Sequence, residues 1–154
     1  MRNFKKVIFA SLLLIAFAMP ALAQTDLVEL MRSDLRTEKM AIVTKAMQLT
    51  EEQSTAFWPV YKEYEAELIK LNDERVLLIK DYGANYDTMT PEMAKDLIGR
   101  SFKLQEGRTK LLKSYVGKMG KAVDDKTAAR WAQVEYTLNA AIDLQVGAEL
   151  PLIK

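Results

Sequence analysis

The stretch LTEEQSTAFWPVYKEY, Leu49 to Tyr64, opens a long helix and places a proline nine residues after its cap. Thr50 and Gln53 have the spacing of a capping box, in which the hydroxyl accepts from the amide of the third helical residue and the glutamine side chain reaches back to the cap. Glu51 and Glu52 then sit at the positive end of the helix. Pro59 removes the amide that would bond the Thr55 carbonyl, and its ring crowds that turn, a conflict of about 3 kcal/mol in a straight helix. A kink between Thr55 and Pro59 is therefore expected. Phe57, Trp58, Tyr61 and Tyr64 supply the apolar area that offsets it. These rings are expected to pin the start of this helix against the first and fourth helices, with Trp131 as a neighbour. Their effect on any binding surface is then indirect, through the curvature they leave behind.

Outward from this block the chain reads as helix throughout. A first helix is predicted from Asp26 to Met47, ended by Leu49-Thr50. The second runs from Glu51 to Tyr82, where Gly83 offers a left-handed cap. Its inward residues, Phe57, Tyr61, Tyr64, Leu68, Leu71, Arg75, Leu78 and Tyr82, step in fours and threes as a heptad-like seam. Trp58, Ile69 and Val76 form a second stripe, which calls for two neighbours. Thr90 and Pro91 start a third helix that runs to Met119, with Gly117 and Gly120 weakening its end. A fourth follows Asp124-Asp125 and runs to Val146, leaving GAELPLIK as a short apolar tail. At ~1.5 Å per residue the two long helices extend roughly 48 and 43 Å. A compact domain of this size is roughly 36 Å across. The expected fold is all-α, an elongated antiparallel long-helix hairpin plus two shorter helices, with one face open to a second copy or a ligand.

The first 23 residues have another character. Arg2, Lys5 and Lys6 precede an apolar run from Val7 to Phe17, then Pro20 and Ala21-Leu22-Ala23, the layout of a cleavable secretory signal cut after Ala23. The run is shorter than the ~20 residues a membrane span needs, so no stable membrane insertion is expected after cleavage. No cysteine follows the site to carry a lipid. Residues 24–154 are read as one all-helical domain, exported to the periplasm. Taking those three cations from the 22 basic residues leaves 19 against 21 acidic ones, a formal charge of −2. That balance offers nothing to nucleic acid.

The chain contains neither histidine nor cysteine. It therefore lacks the ligands of common zinc sites, the base of the usual triads, the thiolate nucleophile and the Glu-x-x-His pairs of a di-iron bundle. No catalytic, cofactor-binding or metal-binding residue is predicted, and an enzyme is not expected. Glu63 and Glu67 alternate with Lys62 and Lys70 as a solvated face. The methionines after the signal, at 31, 40, 47, 89, 93 and 119, are spread out as core fillers rather than clustered as soft-metal ligands. Arg75 and Arg108 each interrupt an apolar face. Either each pairs with a carboxylate on a facing helix or snorkels to water, or they form a basic spot within an apolar binding surface.

LTEEQ, with Leu49, Thr50 and Gln53, placed after a signal-like start and a shorter helix and before a long helical hairpin, resembles the LTxxQ-motif proteins of the bacterial periplasm, the group that includes Spy and CpxP. The likeness in order of elements covers Gln24 to Val146. A second LTxxQ near the last helix is not present as such, although KTAARWAQVE keeps Gln133, and FWPVYKEY with AELPLIK mark a separate branch. The resemblance implies a Spy/CpxP-like fold, a possible homodimer and an ATP-independent chaperone-like or envelope-stress binding role toward unfolded or envelope proteins. It also implies two alternatives, a regulatory subunit of a membrane stress sensor and a metal-responsive periplasmic protein. The metal-handling members rely largely on His and Cys ligands.

Overall fold

A computed structural model describes residues 37–153, so the signal-like segment and the start of the first helix lie outside the described residues. The chain divides between Ile42 and Val43, and the architecture below is that of the second unit. Four helices are described: α1 over residues 37–47, α2 over Glu51–Asn85, α3 over Pro91–Ala122 and α4 over Asp125–Glu149. A single 3₁₀ turn, Tyr86–Thr88, joins α2 to α3. The fold is all-α, with no strand among the described residues.

Each boundary has a local cause. Gln48 takes a left-handed conformation with φ 47°, which ends α1. Thr50 caps α2 through both arms of the box: Gln53 N donates to Thr50 Oγ1 at 3.2 Å, and Thr50 N donates to Gln53 Oε1 at 3.1 Å. Thr90 accepts from the Met93 amide at 3.3 Å, with Pro91 in the first helical turn. Asp124 accepts from the Thr127 amide at 2.8 Å and starts α4. That helix ends at Glu149 because Pro151 holds Leu150 extended, at φ −92° and ψ 121°.

Two expectations about helix ends change. Gly83 does not cap α2: the helix runs on to Asn85, and no glycine has a positive φ among the described residues. Helices α3 and α4 each continue three residues past their expected ends, to Ala122 and Glu149. Helix α2 is one continuous element across Pro59, whose ring lies exposed.

Helices α2 and α3 pack antiparallel, as shown by Lys118 against Glu63 at one end and Arg100 against Asp81 at the other. Helix α4 turns back along α3 and runs parallel to α2. Its contacts with α2 advance in the same direction on both, from Gln53–Asp124 through Tyr64–Glu135 to Arg75–Asp143. The core lies toward the N-terminal ends of α2 and α4. Trp131 is fully buried and meets Phe57, Tyr61 and Tyr64 edge-on at centroid distances of 6.2, 6.3 and 5.0 Å. Val43 and Met47 of α1 and Leu112, Tyr115 and Met119 of α3 close the cluster. The aromatic block thus packs where its sequence spacing puts it.

Candidate functional site

At the other end of the three-helix unit the aromatics give out. Phe57, Tyr61 and Tyr64 occupy the first half of the α2 seam, whereas Leu71, Arg75 and Leu78 occupy the second. Shorter branched side chains fill less of the space between three helices, and a groove of about 490 Å³ remains. Helix α2 lines it with Leu71, Leu78 and Ile79, α3 with Leu97, Ile98 and Leu104, and α4 with Val146. The tail from Leu150 to Ile153 completes the lining. Two tyrosines hold that tail, Tyr82 Oη donating to the Pro151 carbonyl at 2.6 Å and Tyr86 Oη to the Leu152 carbonyl at 3.1 Å.

Three charged residues line the groove: Arg75 on α2, Arg108 on α3 and Asp143 on α4. Arg108 Nη1 donates to both Asp143 oxygens, at 3.0 and 3.2 Å, and Arg75 Nη1 lies 2.8 Å from Oδ1. The Arg108 side chain is only 12% exposed and that of Arg75 22%. Arg108 Nε is buried and has no hydrogen-bond partner among the described residues. Two guanidiniums therefore share one carboxylate, leaving one positive charge in surroundings that are mostly aliphatic.

A second polar constellation ties the helix starts together. Gln53 of the LTEEQ motif uses its oxygen on Thr50 and its amide nitrogen on Asp124 Oδ2 and Thr127 Oγ1, both at 3.3 Å. Hydrogen bonds from the Thr127 hydroxyl and amide, helped by Gln53, hold the Asp124 carboxyl below the usual carboxylate range. A third lies inside the core, where Glu135 is fully buried and accepts from Tyr64 Oη at 3.0 Å. Burial, then the charge of Glu135 and this hydrogen bond, push the Tyr64 phenol up; burial followed by the charges of Glu65 and Glu135 does the same to Tyr61.

Of the residues singled out from the sequence, Leu49, Thr50 and Gln53 gather at the α2 start, Phe57, Tyr61 and Tyr64 surround Trp131, Trp58 packs edge-on against Phe57 and Tyr61, and Pro59 lies outside. Arg75 and Arg108 converge on one carboxylate of a facing helix, the first of the two readings, and the three residues line the apolar groove. Sequence reasoning missed Glu135 and Asp143. Both follow Trp131 on the inward face of α4, at four and twelve residues, and acids on that face were the available signal. Among the described residues no cluster of acidic groups could hold a metal ion, and no helix is long and apolar enough to cross a membrane. Comparison of the chain with protein-family models, curated proteins and solved structures finds no match.

Proposed function

We propose that this chain is a periplasmic, ATP-independent binding protein that holds apolar segments of unfolded or envelope proteins on its helical surface, and that its fold belongs with the Spy/CpxP-like group. The observation that carries the reading is apolar surface left uncovered on all three long helices. Leu77 on α2 is 58% exposed, Phe102 on α3 62% and Leu144 on α4 76%, and Ile98 reaches from the surface into the groove. Large apolar side chains left exposed on all three long helices offer a surface on which a client's side chains dock while its backbone stays in water. The antiparallel packing of α2 on α3 supports the family reading, and the signal-like first 23 residues support the compartment. No step of this role needs a catalytic group or a cofactor.

The test is suppression of aggregation. Equimolar purified protein should slow light scattering by a chemically reduced or heat-unfolded client without nucleotide, and Phe102→Ser with Leu144→Ser should weaken that effect while leaving the helical signal unchanged. Undiminished aggregation at equimolar protein would remove the proposal.

A further inference from the structure

Beyond this holding role, we propose that the groove at Arg75 and Arg108 is a binding site for a long-chain fatty carboxylate. Its head group meets the two guanidiniums and its alkyl chain lies between α2, α3 and α4 beside the Leu150–Ile153 tail. The first argument is charge. Asp143 neutralises one arginine of two, and the surplus cation sits in a lining otherwise formed largely by Leu, Ile and Val. A partly buried charge without a full counter-charge is costly, and a second anion relieves it. The planar guanidinium fork matches a carboxylate, and the buried Arg108 Nε is a donor still without a partner among the described residues.

The second argument separates an alkyl chain from a peptide. The groove walls are helices, whose backbone amides and carbonyls are already paired within each helix. A peptide laid there would find few partners for its own backbone, and burying those groups unpaired is unfavourable. The protein's own tail illustrates the requirement: its Pro151 and Leu152 carbonyls take the hydroxyls of Tyr82 and Tyr86, which are thereby used. An alkyl chain makes no such demand. Ser101 and Gln105 are further polar side chains in the lining. The volume of about 490 Å³ falls within the roughly 300–1,000 Å³ of small-molecule sites.

The experiment is displacement of a fluorescent polyene fatty acid from the purified chain by oleate, by methyl oleate and by a lysophosphatidic acid with the same acyl chain. Oleate should bind saturably with one site per chain, and methyl oleate about tenfold more weakly, the equivalent of ~1.4 kcal/mol. Arg75→Gln with Arg108→Gln should abolish that preference for the acid. Asp143→Asn frees both guanidiniums and should tighten oleate binding severalfold, a gain that misfolding would not produce. Equal binding of acid and ester, or Asp143→Asn without tightening, would overturn the proposal. A clear preference for the phosphate head would overturn the carboxylate assignment. Because the readout is ligand displacement, it can fail while aggregation is still suppressed, or succeed while it is not.

Discussion

Glutamate is a natural occupant of the third position of a capping box and, beside the positive end of a helix, a favourable one. If Gln53 served α2 alone, Gln53→Glu would keep the arm to the Thr50 amide and leave stability unchanged or raised by ~0.3 kcal/mol. The geometry forecasts the opposite. The amide nitrogen of Gln53 donates to Asp124 on one side and Thr127 on the other. Glutamate has no donor to replace either bond and would set a carboxylate against Asp124. Two long, half-exposed hydrogen bonds at ~0.5 kcal/mol each put the loss near 1 kcal/mol, and the facing charges act in the same direction. For a domain of this size that corresponds to a melting point lower by about 4 °C. Thermal unfolding followed by circular dichroism at neutral pH gives the comparison. Asp124→Asn, which keeps a good cap and removes the facing charge, should restore much of the loss when combined with Gln53→Glu. A Gln53→Glu protein that melts with or above the parent would refute the idea that this glutamine joins two helices.

Other consequences can be checked in the same way. Tyr64→Phe removes the hydroxyl that serves the buried Glu135 and should cost about 1–3 kcal/mol in urea unfolding, whereas Tyr64→Phe combined with Glu135→Leu should recover most of it. Tyr61 and Tyr64 are raised in the folded protein, so their contribution is fully present below the unfolded phenol value of about 10 and is lost as pH rises above it. Alkaline unfolding should therefore begin above about pH 10, and tyrosinate absorbance should appear together with loss of helix. Gly117 has open space where a Cβ would stand, so Gly117→Ala should raise stability by about 0.5–1 kcal/mol. The same change at Gly120 would put a methyl group into the Asp125 carboxylate and should gain less or destabilise.

Much of the molecule was legible in the amino-acid sequence, because its determinants are local. Helix periodicity, the Thr50, Thr90 and Asp124 caps and the seam from Phe57 to Tyr82 depend on residues a few positions apart. Trp131, expected as a neighbour of the aromatic block, meets three of its rings. Gly83 misled because left-handed capping is a preference of glycine, not an obligation, and here Asn85 and the 3₁₀ turn close the helix two residues later. The tertiary structure alone decided which carboxylate meets which cation. Asp143 lies 68 residues from Arg75 and 35 from Arg108, and only the parallel course of α2 and α4, with α3 packed against both, brings the three together. The same course turns Gln53 from a cap into a bridge, buries Glu135 beneath Tyr64 and leaves the groove where the aromatics stop. Local propensity reads one helix at a time, whereas a shared carboxylate or an unfilled space is a property of three helices in one register.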